Sequence, residues 1–220
     1  MCPPRPASSD PRADEHALWA AAAAHLDDVL AGIRAPDLDR PTPCARWRVG
    51  DLLAHLDDGL QALAEGAVGG ITPRATPPAT AVTPRRVRAT LAVAVARWQR
   101  LPPASPAAPA SRVDRWPVPP WLLLTVGALE ATVHAWDLAR AVGSDAAIPV
   151  ELALPLRPAA ELLTGWSGHR GDPDDAFAAP LPVPPGASAE ERLLGVVGRR
   201  WSRPVDTGSP IPGTRPIGSS

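Results

Sequence analysis

Apolar residues recur every three or four positions in several blocks of the chain, the period of an amphipathic α-helix. One block shows it clearly, because its leucines at positions 52, 53, 56, 60 and 63 form a single stripe. This pattern predicts four main helices and two shorter ones, over residues 14–33, 49–67, 84–101, 121–142, 150–166 and 189–198. No run alternates with period two for long enough to predict a sheet.

Prolines separate most of these blocks. The chain has 30 prolines in 220 residues, nearly three times the usual share of about 5%. Proline costs about 3 kcal/mol inside a helix but is harmless in a connection. Most of the prolines fall in connections, at 73–84, 102–120 and 180–185. We therefore predict an all-α fold, a bundle of four main helices with long proline-rich connections and short C-terminal helices.

The two ends of the chain differ in composition from the middle. Residues 1–12 and 203–220 are rich in Pro, Gly, Ser and Thr and carry few apolar side chains. Such segments bury too little apolar surface to offset the entropy of ordering. We expect two disordered tails on either side of one helical domain over residues 13–202.

The charge balance excludes several classes of protein. All 22 basic residues are arginines, 23 acidic residues oppose them, and the net charge is −1. This leaves no electrostatic footprint for nucleic acid or for an anionic membrane. The longest apolar stretch, residues 121–129, is shorter than a bilayer span, and no secretory signal is visible. Two cysteines, Cys2 and Cys44, cannot build a disulfide framework. We expect a cytoplasmic protein with neither a nucleic-acid nor a membrane partner.

Candidate chemistry centres on three residues. Glu130 and His134 are four positions apart on the predicted fourth helix, so their side chains share one face. His55 is flanked by leucines that should face the core. If the two helices are neighbours, two imidazoles and one carboxylate converge, and such a set holds a divalent metal with positions left open. The alternative is a solvated Glu–His contact beside a core histidine.

Three aspartates are candidates for the second imidazole N–H of the histidines. Asp51 lies one turn before His55, Asp58 lies nearly one turn after it, and Asp137 lies three residues beyond His134. A carboxylate in such a position fixes the tautomer of a ligating histidine.

Other polar and aromatic residues carry weaker expectations. Cys44 is expected to be a small buried residue rather than a nucleophile. Arg140 lies about 240° round the helix from His134, which predicts a surface ion pair away from the metal face. Trp47 and Trp136 are expected in the core. The remaining histidines are expected at the surface: His16, His25 and His169.

Two long motifs carry a resemblance to a known family. Residues 42–56, TPCARWRVGDLLAHL, resemble the TPC-x-x-W-x-V-x-D-L-L-x-H-L signature of the DinB-like family. More narrowly they resemble the actinobacterial branch related to mycothiol-dependent maleylpyruvate isomerase. Residues 130–140, EATVHAWDLAR, are similar to that branch's E-x-x-V-H-x-W-D-L-A-R run. Residues 177–184 and 192–201 resemble its closing pattern.

The resemblance implies a DinB-like four-helix bundle and a metal site of His55, Glu130 and His134. It further implies Zn²⁺, with Fe²⁺ or Ni²⁺ as alternatives, and mycothiol as co-substrate. The implied activity is a thiol-dependent S-transferase or isomerase that acts on a small electrophile through a metal-activated thiolate. A non-enzymatic metal-binding bundle is the alternative, and homodimer formation stays open.

The chain departs from the family pattern at two places. Arg48 stands where the family commonly has Thr or Ser, which removes a side-chain cap from the second helix, and we expect this to free Asp51 for His55. The chain also stops soon after Trp201, without the additional C-terminal domain of the full-length isomerase. This second departure weakens the assignment as an isomerase and leaves the metal site unaffected.

Overall fold

The computed structural model describes residues 11–44, 47–72, 82–101, 111–113, 116–166 and 177–201. Within them lie six α-helices: α1 (Pro11–Gly32), α2 (Val49–Gly66), α3 (Pro84–Gln99), α4 (Pro120–Ala141), α5 (Val150–Trp166) and α6 (Ala189–Val196). The predicted all-α fold is confirmed, with helix ends within three residues of the expected positions. Residues 1–10 and 203–220, which make up most of the two predicted tails, lie outside the described residues.

Helix α4 is the centre of the bundle. It packs against α1, α2 and α5, while α3 packs against α1 and α2. The small buried side chains of Ala22 and Ala23 on α1 and of Ala128 and Ala131 on α4 allow close approach of helix backbones. Leu26, Leu52, Leu91 and Leu129, from the four main helices, belong to one hydrophobic core. The apolar stripes read from the sequence therefore face each other.

The starts of α3 and α6 follow ordinary capping chemistry. Thr83 accepts a hydrogen bond from the backbone N–H of Arg86 at 3.2 Å, and Pro84 occupies the first helical position of α3. Ser188 and Glu191 form a reciprocal capping box at the start of α6, with distances of 3.1 and 2.7 Å. These local signals explain why the predicted starts of these two helices match the structure.

A small three-stranded sheet was not predicted. Its strands are β1 (Gly70–Ile71), β2 (Ser111–Val113) and β3 (Trp116–Val118). β1 pairs in parallel with β2, with Gly70 opposite Arg112, and β2 pairs antiparallel with β3. The expectation of no sheet is wrong because strands of two or three residues are too short to show a period. The buried Ser111 hydroxyl donates to the Gly66 carbonyl at 2.6 Å, which holds the sheet against the end of α2.

By length and composition, α4 could cross a membrane. However, 67% of its most apolar window is buried inside the bundle. The helix also carries His134 and Asp137, which are fully buried and paired with each other. These are the properties of a core helix.

Candidate metal centre

The structure brings His55, Glu130 and His134 together. Oε2 of Glu130 lies 2.9 Å from Nε2 of His134 and 3.3 Å from Nε2 of His55. One ligand atom from each residue lies within 4.8 Å of the other two. Zinc bonds of about 2.0–2.1 Å in a tetrahedral site place ligand atoms about 3.3 Å apart. The two separations from Glu130 are close to this value.

The three side chains differ in exposure. His134 is completely buried, whereas 26% of the Glu130 side chain and 34% of the His55 side chain are exposed. The cluster is therefore closed on the His134 side and open on the side of His55 and Glu130. A site that is open on one side is typical of a catalytic centre rather than a structural one.

His134 is held from behind by Asp137. Its Nδ1 lies 3.0 Å from Oδ2 of Asp137, which accepts the Nδ1 proton, and the Nε2 edge of the ring is turned towards Glu130. This Nε2 is buried and lies 2.9 Å from the Glu130 carboxylate. A buried ring nitrogen directed at the cluster fits a metal ligand, because a bound ion would displace a proton from it.

Arg199 is a site residue that the sequence did not reveal. It is 2% exposed, and its Nη2 donates to Oδ2 of Asp137 at 2.8 Å while its Nε donates to Oδ1 at 3.1 Å. Nη1 donates to the carbonyl of Val197 at 3.0 Å. Arg199 lies 62 residues beyond Asp137, so no local spacing signals the pair. Its place within the closing pattern of residues 192–201 was the available hint.

The neighbouring charges in the cluster favour the charged forms of Asp137, Glu130 and His134. Burial disfavours the Asp137 carboxylate, but His134 and Arg199 outweigh burial and lower its pKa. Burial likewise disfavours the Glu130 carboxylate, and the two imidazoles outweigh it and lower its pKa. Burial also disfavours the His134 cation, but the carboxylates of Asp137 and Glu130 raise its pKa.

Two aromatic rings pack beside the imidazoles. The Trp47 ring centroid lies 4.5 Å from that of His55 and 5.9 Å from that of His134. The Phe177 ring stacks on the His134 ring, with the two centroids 6.3 Å apart and an interplanar angle of 18°. Trp136 is buried as expected, whereas Trp47 is half-buried at the site. The rings restrict the rotation of both histidines.

The other two predicted aspartates lie elsewhere on α2. Oδ2 of Asp51 accepts the backbone N–H of Arg48 at 2.9 Å. The expectation that Arg48 frees Asp51 is wrong because this donor belongs to the backbone, whatever side chain position 48 carries. Asp58 is half-buried, while the neighbouring Asp57 is fully buried and faces α3. A contact of Asp51 or Asp58 with His55 stays a prediction.

The weaker candidate residues have different outcomes in the structure. Arg140 pairs with the exposed Asp145 at 3.2 Å and lies over the Trp136 ring, which confirms its placement away from the metal face. Cys44 is half-buried in the segment before α2. The surface expectation for His25 is wrong, because its Nε2 is buried against the bundle. His169 lies outside the described residues.

An apolar pocket of about 200 Å³ adjoins the cluster between α2 and α4. His55 and Glu130 form one end of it. Its larger apolar lining residues are Leu56, Leu60, Leu63, Ile71, Leu123 and Val126, and the others are two glycines and two alanines. The open side of the cluster therefore faces apolar side chains.

Comparison with known proteins identifies the family of this chain. The chain is 30% identical over 171 residues to the uncharacterized proteins MT0763 and Rv0738 of Mycobacterium tuberculosis, covering 78% of this chain and 90% of theirs. It shares its fold with the crystal structures of the mycothiol-dependent maleylpyruvate isomerase and of a mutant of that enzyme. These superpose with TM-scores of 0.53 and 0.54 at 20% identity, over 72% of each chain. The model of the family described as the mycothiol maleylpyruvate isomerase N-terminal domain matches residues 19–139, more than half of the sequence. This chain therefore belongs to that family and has its DinB-like helical fold.

Proposed function

We propose that this protein binds a divalent metal ion through His55, Glu130 and His134 and uses it in a thiol-dependent transfer or isomerisation of a small electrophile. The observation that carries the proposal is the convergence of the buried Nε2 of His134 with ligand atoms of Glu130 and His55, all within 4.8 Å of one another. Zn²⁺ suits this nitrogen and oxygen donor set, and Fe²⁺ or Ni²⁺ are alternatives. Mycothiol is the thiol that membership of the family supports.

The chain's own residues prepare the site for this chemistry. Asp137 holds the His134 tautomer, and Arg199 holds Asp137. Trp47 restricts the ring of His55. The bound ion would supply Lewis acidity, which lowers the pKa of a coordinated thiol towards neutral pH. The exposure of His55 and Glu130 gives a thiol access from the pocket side.

The reaction class has a simple balance of bonds. The thiol gives its proton to solvent water, and its sulfur forms a C–S bond to the electrophilic carbon. In a transfer, a leaving group departs with the electron pair of its bond. In an isomerisation, the thiol adds to a carbon–carbon double bond, rotation follows, and elimination breaks the C–S bond and returns the thiol.

Metal analysis tests the proposal. The wild type and three variants, His134→Ala, Glu130→Gln and Glu161→Gln, are purified and loaded with zinc, and bound zinc per chain is measured. Glu161→Gln is the matched control, because Glu161 pairs with Arg157 on the exposed face of α5. We expect zinc in the wild type and the control, and its loss in the two site variants. Equal zinc in all four proteins, or none in any, would contradict the proposal.

A metal-binding bundle without turnover is the second candidate. The contacts of Asp137 with His134 and with Arg199 would hold a structural ion equally well. Assays of mycothiol transfer to a panel of electrophiles, with and without metal, separate the two functions. Bound metal without turnover across the panel would favour the second candidate. For either function we propose a cytoplasmic location with no nucleic-acid or membrane partner, and homodimer formation is open to measurement.

A further inference from the structure

We propose that the electrophile carries an uncharged, apolar carbon skeleton that occupies the pocket beside His55 and Glu130. This inference rests on the proposed function, because it names the substrate class of the same site. It concerns a pocket whose shape and lining come from the helices and from one strand rather than from a metal ion.

The pocket is built from rigid elements. Leu56, Leu60 and Leu63 on α2 face Leu123 and Val126 on α4, and Ile71 of β1 also lines the space. The β2 residue Ser111 anchors this sheet to the end of α2 through its hydrogen bond to Gly66. The walls are therefore held by secondary structure, as in small-molecule sites that are already formed before binding.

The charge of the lining selects against anions. Among the described residues that line the pocket, His55 and Glu130 are the two polar ones, and no arginine is present. The sequence contains no lysine. At the end of the pocket away from His55 and Glu130, a carboxylate would lose its hydration without a cation among the described lining residues to replace it, and the apolar walls would offer it no hydrogen bond. An uncharged group meets neither cost.

The size of the pocket limits the skeleton. Its volume is about 200 Å³, and an apolar protein cavity of about 150 Å³ binds benzene. One aromatic ring with a short substituent, or a branched chain of similar size, fits the space. Because His55 and Glu130 belong both to the pocket and to the ligand cluster, a carbon held there lies next to the position open to a thiol.

Binding of two matched probes tests the inference without turnover. Methyl benzoate and benzoate share a ring, and they differ in charge. Calorimetry is carried out on the protein as purified and after chelation, because benzoate could bind a metal directly. After chelation we expect methyl benzoate to bind at least tenfold more tightly than benzoate. Equal affinity, or tighter binding of benzoate, would overturn the inference.

Pocket variants locate the binding. A side chain at Gly59 would project into open space on the pocket wall, since a Cβ there meets nothing within 4 Å. Gly32 on α1 is equally open but does not line the pocket. We expect Gly59→Phe to weaken methyl benzoate binding at least tenfold and Gly32→Phe to leave it unchanged. Unchanged binding in Gly59→Phe would place the probe elsewhere and overturn the inference.

A variant with an added positive charge completes the set of binding experiments. Val126→Arg adds a cation to the lining, and we expect it to reverse the preference of the chelated protein towards benzoate. Failure of the proposed function is a separate result. If the protein binds no zinc but still binds the probe, the metal site is refuted and the pocket stands. If zinc binding and thiol transfer are retained but the probe does not bind, the pocket inference is refuted and the proposed function stands.

Discussion

His134 and Asp137 form a hydrogen bond of 3.0 Å between two completely buried side chains, one turn apart on α4. The bond fixes both the proton and the direction of the imidazole ring, and Nε2 then lies 2.9 Å from the carboxylate of Glu130. Orientation from behind raises the basicity of a ligating histidine. Metal affinity should therefore depend on a residue that does not contact the metal.

Replacement of Asp137 tests this dependence. We expect Asp137→Asn to weaken zinc binding by about 10- to 100-fold, the usual effect of losing such a partner. Affinity is measured by competition with a chromophoric chelator, on protein whose helicity is checked by circular dichroism. Asp145→Asn is the matched control, because Asp145 is fully exposed and pairs with Arg140. Equal affinity of the two variants would contradict the prediction.

The buried carboxylate of Asp57 joins α2 to α3. It accepts the Thr90 hydroxyl at 2.7 Å and Nε of Arg86 at 2.8 Å. We expect Thr90→Val to lower the free energy of unfolding by about 1.5–3 kcal/mol, since the lost hydrogen bond is to a charged group. The control is Thr125→Val, whose hydroxyl donates to the carbonyl of Trp121 within its own helix. Urea denaturation should show a smaller loss for the control, and similar losses would refute the role given to Asp57.

Gly198 immediately precedes Arg199 and has a φ of +70°. A Cβ there would lie 2.6 Å from the carbonyl oxygen of Ala179 and 2.7 Å from the carbonyl carbon of Ala178. We expect Gly198→Ala to destabilise the fold by more than Gly186→Ala. Gly186 also has positive φ, at +81°, but a Cβ there meets nothing within 4 Å, so its cost is about 1–2 kcal/mol. Thermal melts of both variants check the order, and a reversed order would argue against the close backbone contact.

His25 should make the stability depend on pH. Burial lowers its pKa, and the charges of Asp28 and Glu190 only partly offset this effect. Because the folded pKa lies below the unfolded value of about 6.5, the unfolded chain binds more protons below that pH. The contribution of His25 to stability therefore falls as the pH drops through 6.5 towards the folded pKa.

Urea denaturation at pH 7.5 and 5.5 measures this contribution. We expect the wild type to lose more of its free energy of unfolding between these pH values than His25→Gln, which cannot take up the proton. The other titrating groups are common to both proteins, so the difference isolates His25. The same loss in both proteins would mean that His25 is not held in its neutral form.

The sequence predicted the parts of this molecule that depend on near neighbours. Apolar spacing and prolines mark the helices, and the pair Glu130 and His134 follows from the helical period alone. The position of His55 beside Glu130 and His134 requires α2 and α4 to be neighbours, and residue spacing could not show this. The family resemblance was the basis for placing His55 in the same site.

The remaining features depend on contacts between distant positions in the chain, or on which of two adjacent residues faces a neighbouring helix. Arg199 reaches Asp137 across 62 residues, and no period connects positions so far apart. The strand pairing of Gly70 with Arg112 is also non-local and too short for a pattern. Asp57 and Asp58 differ by one step of about 100° round the helix. Which of them α3 covers was decided by packing.

The ligand cluster joins residues that are far apart in the chain, because His55 and Glu130 are separated by 75 positions. An expanded state that keeps its helices but loses side-chain packing would retain Glu130 and His134 as neighbours and lose His55. Such a state would offer two ligands where the native bundle offers three. Metal binding should therefore be coupled to the docking of α2 on α4, and the ion would act as a reporter of cooperative tertiary assembly.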